Sequence, residues 1–468
     1  MHATPSNQIT VENRGGVQRF LNMKWYLQWL VFAAIASILY LPVLGNTFLS
    51  DDHLVLWKTG VQQELNVDGF FRPLSDITLW LSYRLFKLNS LPYYLFQVLL
   101  HALNAVMLMQ YCRKISKMRT SSAGTMELMP LLAALIFLTY PFHNEAIAWI
   151  LGRGALMAGS FAIGAMLALV SHWKPVTKIS LIALCYFLGL AAYETIIILP
   201  LLVGAQLLIM GASRKEMGKI LLVLAATFGL HAGLRIAVSG AFIGGYGAGF
   251  FQGASLDTML VMLKSAGRVL LPPSDNSQWM MIAFASVLLI GAGALYTVWR
   301  RTKNDMGARR FLYTQLACLA IAMLVPMWLG VSTRTSESDR FLYLPSIFLS
   351  GLMAFTLMHL FSKAKQQVIM VALFLVVQVA LLEENNLNWK KASDTVLAMK
   401  RYIERQQGEG RLLVLNLPGE TDGAYIFRVG FKEFLRLYGY DSEQVKLVSQ
   451  LTRDQQLALP GRSARIIG

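Results

Sequence analysis

Residues 25–52 read WYLQWLVFAAIASILYLPVLGNTFLSDD, an apolar run followed by two adjacent aspartates. The apolar part, residues 25–44, has the length of about 20 residues that a transmembrane helix needs. It is longer than the roughly 7–15 apolar residues of a signal peptide, and no small-residue cleavage site follows it. We therefore expect an uncleaved first membrane span that leaves the lipid just before Asp51 and Asp52.

The composition of the whole chain agrees with that reading of its start. Of the 468 residues, 55% are hydrophobic and only 15% are charged, whereas soluble domains carry about 25% charged residues. A soluble globule of this size, a disordered chain, a collagen and a coiled coil are all excluded by these values. The net charge of +16 fits either nucleic-acid binding or the orientation of membrane spans, and the positions of Lys and Arg favour orientation.

Ten further apolar runs follow the first, so the sequence predicts about eleven transmembrane helices. These runs cover residues 91–111, 128–141, 154–171, 177–193, 194–211, 218–238, 279–299, 311–330, 342–361 and 367–383. Short basic segments separate many of them and are expected to face the cytoplasm. The basic segments are residues 112–127, 171–178, 212–219, 300–310 and 362–366. This parity predicts a cytoplasmic N-terminus and an external C-terminus.

The predicted organisation has three parts: a cytoplasmic segment (1–24), a transmembrane domain (25–384) and a small external α/β domain (385–468). The first external loop covers residues 46–90. Residues about 255–272 are expected to form an interfacial helix, because counting them as a span would place the next basic segment outside. In the external domain the patterns predict strands over RLLVLNLP (411–418), KLVSQL (446–451) and ARIIG (464–468), and a helix over FKEFLRLYG (431–439).

The acidic pair at the start of the first external loop is the first candidate for chemistry. One carboxylate could deprotonate or orient an acceptor hydroxyl, and partial burial would raise its pKa toward that of a useful base. The alternatives are an N-cap for a helix over residues 53–60 or a plain solvated loop. Further along the loop, Arg72 is a candidate for binding phosphate, or a side chain that reaches the lipid headgroups.

The segment YPFHNEAIAWILGRGA (140–155) carries His143, Glu145 and Arg153. Arg153 falls on an apolar helical face, so it needs an anion: Glu145, Glu194, a lipid phosphate or a substrate phosphate. His143 and Glu145 alone are weak evidence for a metal, and we assign none. Glu194 is expected in a tight turn between two short spans, at the outer mouth.

Arg340 and Tyr343 stand at the entrance of a later span, where positive charge on the outer side runs against the usual bias. Such a pair can hold a phosphate and the head of a polyprenyl lipid. The Gly-rich residues 243–255 lack the Lys-Ser/Thr of a phosphate loop, and we expect an external loop there. Without a nucleotide fingerprint, a membrane enzyme with an external site is expected to take its donor from the lipid phase.

Six motifs in order carry a family resemblance across roughly residues 45–350. They are Phe48-Leu49-Ser50-Asp51-Asp52; Arg72-Pro73-Leu74; Leu99-Leu100-His101-Ala102-Leu103-Asn104; Pro141-Phe142-His143-Asn144-Glu145-Ala146 leading to Gly152-Arg153; Tyr193-Glu194-Thr195; and Asp339-Arg340-Phe341-Leu342-Tyr343-Leu344-Pro345-Ser346. The chain thus resembles polyprenyl-phosphate-sugar-dependent glycosyltransferases of the GT-C fold. It is most similar to the membrane part of the transmembrane-and-TPR-repeat protein O-mannosyltransferases, although it lacks their TPR array.

The resemblance implies an α-helical, GT-C-like polytopic membrane protein that transfers a sugar from a polyprenyl-phosphate donor to a glycan, lipid or protein acceptor, with inversion. It implies that Asp51 and Asp52 are the catalytic motif, without ranking them. Site residues implied beside them are Arg153 and Arg340 for the donor phosphate, then Tyr343 and Arg72, with His143, Glu145 and Glu194 in support. No cofactor is implied and no nucleic-acid partner is expected; most relatives need no metal, though some GT-C enzymes need a divalent metal. The similarity to bacterial relatives of this group implies a bacterial inner (plasma) membrane, with the C-terminus in the periplasm.

Three other functions remain open at this stage. A lipid-linked-sugar flippase or transporter would place charged residues along a path through the membrane, often in repeated halves. A non-catalytic GT-C-like scaffold for envelope assembly would keep the fold without needing the acidic pair. An O-antigen polymerase or ligase also uses lipid-linked sugars, but with key residues in a large later external loop.

Overall fold

The computed structural model describes residue 16 and residues 18–65, 70–117, 128–242, 256–406, 411–414, 416–441, 444–447 and 464–467. The α-helices are α1 (Trp25–Leu39), α2 (Leu41–Leu44), α3 (Asp51–Val55), α4 (Pro73–Phe86), α5 (Leu91–Lys117), α6 (Met129–Leu138), α7 (Asn144–Ile147), α8 (Arg153–Leu169), α9 (Pro175–Ala192), α10 (Leu199–Met210), α11 (Arg214–Ser239), α12 (Leu256–Arg268), α13 (Ser277–Arg301), α14 (Met306–Ala322), α15 (Leu324–Leu329), α16 (Tyr343–Leu360), α17 (Ala364–Gln406) and α18 (Phe431–Leu437). A π-helical segment covers Leu56–Gln62, and 3₁₀ turns cover Ile150–Gly152, Glu194–Ile198 and Asp339–Leu342.

Eight helical segments within the described residues are long and apolar enough to cross a membrane. They are Leu91–Ser116, Ile150–Leu169, Pro175–Ala192, Arg214–Ser239, Gln278–Arg301, Met306–Leu329, Asp339–Leu360 and Ala364–Gln406. Three shorter apolar helices, Trp25–Leu39, Met129–Leu138 and Glu194–Met210, coincide with the remaining predicted runs. The chain is an integral membrane protein, as its composition predicts. The number of crossings, about eleven, stays a prediction.

Contacts between helix ends bring several of the basic segments together. Arg113, near the end of α5, donates to Asn22 at 2.7 Å, and the neighbouring Lys114 donates to Ser171 at 2.8 Å. Arg301, at the end of α13, donates to the carbonyl of His359 at 2.9 Å. The first residues of α5 lie at the opposite end of α5 from Arg113 and Lys114, beside the end of the first span. This arrangement agrees with one basic face, while the side of the membrane stays a prediction.

The segments predicted to be the first external loop and the interfacial helix are both largely helical. Residues 46–90 contain α3, the π-helical segment and α4, which begins with Pro73 at its first turn, a position where proline loses no hydrogen bond. The predicted interfacial helix is α12, residues 256–268. The Gly-rich residues 243–255 lie outside the described residues.

The last membrane helix does not stop at the predicted boundary after residue 384, because α17 continues to Gln406. Beyond it, β1 (Arg411–Val414), β4 (Val445–Leu447) and β5 (Ala464–Ile467) form a parallel sheet in the order β4-β1-β5. A short antiparallel hairpin, β2 (Glu420–Thr421) and β3 (Ala424–Tyr425), and α18 complete what we call the C-terminal unit, the described residues 411–414, 416–441, 444–447 and 464–467. The predicted strand over 464–468 and the predicted helix over 431–439 are present, and the strand predicted over 411–418 ends at Val414. Of the strand predicted over 446–451, only residues 446–447 lie within the described residues.

The C-terminal unit packs directly on the first external loop. Ser50 donates its backbone N–H to the carbonyl of Ile426 at 2.8 Å. His53 lies against Phe427 and Phe434, at ring distances of 6.0 and 5.1 Å, and burial lowers the pKa of His53 to about 4. The imidazole is therefore neutral and packs as an aromatic ring, which fixes the C-terminal unit beside the acidic pair.

Candidate active site

A charged cavity of about 290 Å³ opens between the first external loop, the turn before α8 and the C-terminal unit. It is lined by Asp51, Leu54, Val55, Phe70, Arg72, Ser75, Asp76, Leu79, Trp149, Leu151, Gly154, Tyr193, Arg340, Arg428 and Val429. Residues far apart in sequence therefore meet here, and carboxylates and guanidinium groups face the same space. We call this space the charged cavity.

The two aspartates of the predicted catalytic motif have different environments. Asp51 lines the charged cavity and accepts a hydrogen bond from the Ser50 hydroxyl at 3.2 Å. Asp52 is fully buried behind it: its carboxyl group accepts the backbone N–H of Leu49 at 2.9 Å, and the Leu151 N–H acts with that of Leu49 to lower its pKa. Burial raises the pKa of Asp52 well above its ordinary value, the Leu49 N–H opposes this, and the charge of Asp51 adds to it.

The backbone at Ser50 is strained immediately before the pair. Its φ is +46°, a region that residues other than glycine rarely adopt and that costs of order 1–3 kcal/mol. Helix α3 begins at Asp51 itself and is followed by a π-helical segment. This arrangement differs from the helix over residues 53–60 considered from the sequence, because the aspartates belong to its first turn.

Arg340 lines the charged cavity, and its partners are Glu145 and Tyr193. The fully buried Glu145 carboxylate pairs with the Arg340 guanidinium and accepts the Arg340 backbone N–H at 2.8 Å. Arg340 Nε donates to the hydroxyl of Tyr193 at 3.0 Å. Both the guanidinium and the backbone of Arg340 are thus fixed, which places Glu145 in the supporting role expected from the sequence.

Arg72 also lines the charged cavity, and Glu194 holds it there. The Arg72 Nε donates to Glu194 at 2.9 Å, and its guanidinium lies 4.5 Å from the ring centre of Tyr193. Glu194 lies 3.5 Å from a guanidinium nitrogen of Arg235 on its other side. Tyr193 therefore stands between Arg72 and Arg340, and the two predicted phosphate ligands approach the same side of the cavity.

Arg153 does not line the charged cavity, unlike the position expected for a ligand of the donor phosphate. It is fully buried, donates to the Ile150 carbonyl at 3.2 Å and to the Ser82 hydroxyl at 3.3 Å. Its positive charge acts to lower the pKa of Asp52. Among the described residues, Arg153 forms no ion pair with Glu145 or Glu194, two of the anions expected from the sequence, and its guanidinium lies 5.6 Å from the ring centre of Tyr93.

Tyr343 and His143 lie inside the helix bundle and away from the charged cavity. The Tyr343 hydroxyl accepts a hydrogen bond from Asn104 at 2.9 Å and contacts the ring nitrogen of His101 at the same distance. These contacts of His101 and Asn104 join different helices, and they engage the hydroxyl predicted to bind the donor. His143 contacts the hydroxyl of Ser346 at 2.7 Å. Among the described residues, no group of three or more His, Cys, Asp or Glu side chains is arranged to hold a metal ion.

An apolar groove of about 470 Å³ adjoins the charged cavity. It is lined by Leu190, Tyr193, Glu194, Thr195, Ile197, Ile198, Phe228, His231, Ala232, Arg235, Phe242, Leu324, Val325, Trp328, Leu329 and Phe341. Tyr193 belongs to both spaces. The groove therefore offers apolar surface for most of its length and charged groups only where it meets the cavity.

Sequence reasoning missed several residues of the charged cavity. Asp76 stands four residues after Arg72 in the first external loop, and that spacing on α4 was a signal that could have found it. Arg428 and Val429 carry no local signal, because their place depends on how the C-terminal unit packs. Tyr425 likewise reaches Glu145 only through the tertiary structure, at 2.5 Å from the hydroxyl oxygen to Oε1.

Comparison with known proteins gives relatives of one kind. No protein-family model matches the chain. Protein O-mannosyl-transferase TMTC3 of Mus musculus is 29% identical over 119 residues, 25% of this chain and 12% of the relative. The Homo sapiens protein of the same name is 28% identical over 134 residues, 28% of this chain and 14% of the relative.

These matches span only a small part of the relatives' length. Among solved structures, the chain is similar to ArnT from Cupriavidus metallidurans, crystallised with undecaprenyl phosphate, at 10% identity and a TM-score of 0.46 over 90% of this chain and 89% of that chain. The resemblance that the six motifs indicate is thus confirmed: the chain is similar in sequence to the protein O-mannosyl-transferases.

Proposed function

We propose that this protein is a membrane glycosyltransferase that takes a sugar from a polyprenyl-phosphate donor and transfers it to an acceptor on the outer face of the membrane. The observation that carries the proposal is the junction of two unlike spaces at Tyr193. On one side lies the apolar groove, and on the other lies the charged cavity with Asp51, Arg72 and Arg340. A lipid-linked sugar has the same division into apolar chain, phosphate and polar ring.

The apolar groove would hold the first isoprene units of the donor. Its lining is almost entirely hydrophobic, so burial of a hydrocarbon chain there is favourable. Phe228, Trp328 and Phe341 give the groove its aromatic surface. Arg235 stands where groove and cavity meet and is paired with Glu194, which places positive charge where the lipid ends in a phosphate.

The phosphate would be bound by Arg72 and Arg340. Guanidinium groups bind phosphate through paired, charge-assisted hydrogen bonds. Their orientation is set beforehand, Arg72 by Glu194 and Arg340 by Glu145. A preorganised charge of this kind stabilises the negative charge that develops on the leaving phosphate without any rearrangement during the reaction.

The sugar and the acceptor would meet in the charged cavity, against the rings of Trp149 and Tyr193 and beside Asp76. Asp51 is the base in this proposal, because it is the member of the pair that reaches the cavity. It accepts the proton of the acceptor hydroxyl, whose oxygen attacks the anomeric carbon as the bond from that carbon to the phosphate oxygen breaks. Polyprenyl phosphate leaves, and a single displacement inverts the anomeric centre.

Asp52 would support this chemistry by holding the turn that presents Asp51. It accepts the N–H of Leu49, and its own N–H donates to the Leu49 carbonyl at 2.9 Å. No cofactor enters the proposal, and the acceptor class, whether glycan, lipid or protein, is left to the assay.

The test is sugar transfer from a panel of polyprenyl-phosphate sugars in membrane vesicles at matched expression. We expect wild-type transfer that is lost in Asp51→Asn and Arg340→Ala and is kept in Asp394→Asn, which alters an exposed surface pair with Lys390. A parallel set with a chelator measures any dependence on a divalent metal. Absence of transfer across the panel, together with movement of lipid-linked sugar across the bilayer, would overturn the proposal in favour of a transporter. Absence of both would favour the non-catalytic scaffold.

A further inference from the structure

We propose that Tyr425 is a positioning residue for Arg340, so that the C-terminal unit forms part of the site for the donor phosphate. The inference rests on the proposed function and deepens it. It assigns a role in lipid-phosphate binding to a residue of the C-terminal unit, outside the membrane helices.

Tyr425 reaches Arg340 mainly through one buried carboxylate, and its hydroxyl also accepts a longer hydrogen bond directly from the Arg340 guanidinium at 3.4 Å. The Tyr425 hydroxyl donates to Glu145 Oε1 at 2.5 Å, and the same oxygen pairs with the Arg340 guanidinium. Glu145 Oε2 accepts the Arg340 backbone N–H. Tyr425 and Glu145 are both fully buried, and a buried carboxylate is stable only when its oxygens are paired. Tyr425 thus fixes the group that fixes Arg340.

Tyr425 is itself held rigidly. Its ring packs edge-to-face on Trp149 at 5.1 Å and on Trp389 at 5.6 Å, and the Arg428 guanidinium lies 4.2 Å from its centre. Its backbone pairs with Glu420 in the β2–β3 hairpin. Burial and the neighbouring carboxylate raise the pKa of the Tyr425 hydroxyl. The hydroxyl is therefore protonated and able to donate to Glu145.

The loop that follows Tyr425 is joined to the catalytic motif. Ser50 donates its N–H to the Ile426 carbonyl at 2.8 Å, and Val429 donates its N–H to the Ser50 hydroxyl at 3.2 Å. Gly430 has φ +85°, and a Cβ there would lie 2.7 Å from the Ser50 carbonyl oxygen. One short loop of the C-terminal unit therefore touches both the strained residue before Asp51 and, through Glu145, the cation for the phosphate.

The test compares Tyr425→Phe with Tyr440→Phe in the purified full-length protein. Tyr440 belongs to the same unit and donates to Glu404 at 3.0 Å, away from the charged cavity. The probes are undecaprenyl phosphate and undecaprenol, which differ only in the phosphate. We expect Tyr425→Phe to weaken binding of undecaprenyl phosphate by about three- to tenfold. The variant loses the hydrogen bond from the hydroxyl to Glu145, so the carboxylate that orients Arg340 is held less firmly. Binding of undecaprenol should stay unchanged, and Tyr440→Phe should match wild type for both lipids.

A double-mutant cycle gives the second measurement. If Tyr425 acts through Arg340, then Tyr425→Phe should add nothing to the loss caused by Arg340→Ala. Equal losses for both lipids, or additive losses in the cycle, would overturn the inference, because a structural defect affects the groove and the phosphate alike. A Tyr425→Phe protein that binds undecaprenyl phosphate as wild type does would overturn it while leaving the proposed function intact. A wild-type protein with no preference for the phosphate would overturn the proposed donor and this inference together.

Discussion

Asp51 and Asp52 are consecutive in the chain, yet Asp51 lines the charged cavity whereas the carboxyl group of Asp52 is completely buried behind it. The separation follows from helix α3, whose first turn contains both residues, and from the Leu49 N–H that captures Asp52. The sequence does not distinguish the two carboxylates, but replacing each of them should therefore have a different effect on the protein.

Replacement of Asp51 by Asn should remove catalysis while leaving binding intact. A positioned general base contributes about 10²–10⁴-fold to rate, and the amide cannot accept the proton. We expect the turnover of sugar transfer to fall within that range, with the donor KM changed less than threefold, measured in vesicles at matched expression. A variant that keeps its turnover would remove Asp51 from the reaction and leave Arg72 and Arg340 as binding residues only.

Replacement of Asp52 by Asn should change the pH dependence of stability. In the folded protein, burial raises the pKa of Asp52, whereas in the unfolded chain it lies near about 3.9. The folded state therefore binds the proton more tightly than the unfolded chain does. The stability that this proton binding contributes is fully present below the unfolded pKa and is lost as the pH rises through the raised pKa of the folded state. Asn carries no such charge.

We expect the Tm of Asp52→Asn to exceed that of wild type increasingly as pH rises above about 4. The measurement is thermal unfolding in detergent at a series of pH values, with Asp394→Asn as the exposed control. A constant difference in Tm across the series would mean that Asp52 titrates alike in the folded and unfolded states.

Removal of Arg340 should cost stability as well as function. The change to Ala leaves the buried Glu145 without its cation, and an uncompensated buried charge costs about 3–5 kcal/mol. Combining Arg340→Ala with Glu145→Gln should recover much of the lost stability but none of the transfer. Thermal unfolding and the vesicle assay, run on the single and double variants, separate the two effects. Recovery of transfer in the double variant would contradict a direct role for Arg340.

A second buried ion pair holds the turn that carries Arg340. Arg268, at the end of α12, pairs with Asp339 at 2.5 Å and donates to the Ser332 carbonyl at 2.7 Å. We expect Asp339→Asn to destabilise the protein by about 3 kcal/mol, because Arg268 then stays buried without an anion. Affinity for undecaprenyl phosphate should fall as well. If thermal unfolding shows a loss no larger than that of an exposed control such as Asp394→Asn, the pair is not a structural anchor.

Filling the apolar groove should affect long donors more than short ones. Ala232 lines the groove on α11, and Trp at that position would occupy the space proposed for the lipid chain. We expect Ala232→Trp to raise the KM for an undecaprenyl-phosphate sugar at least tenfold and to change that of a short-chain analogue much less. Ala226→Trp, on the same helix but away from the groove, is the matched control. Equal effects on both chain lengths would place the lipid elsewhere.

Local sequence determined the membrane class and most of the elements. Apolar runs such as residues 25–44 indicate helices, because a segment in lipid must satisfy its own backbone hydrogen bonds. The strands and helix of the C-terminal unit follow from hydrophobic patterns a few residues long. Motif order pointed to Asp51, Arg72 and Arg340, and all three line the charged cavity. The sequence places a domain boundary after residue 384, but α17 continues past it, because the helix changes from apolar to charged residues without ending.

The roles within the site were decided only by the tertiary structure. Arg153 and Tyr343 lie on the expected segments, but packing buries Arg153 outside the lining of the charged cavity and joins Tyr343 to Asn104 in the bundle. Tyr425 reaches Glu145 across 280 residues of sequence. Periodicity shows which face of a helix is apolar. The partner of a buried charge depends instead on how distant segments pack, and no local sequence pattern specifies that packing.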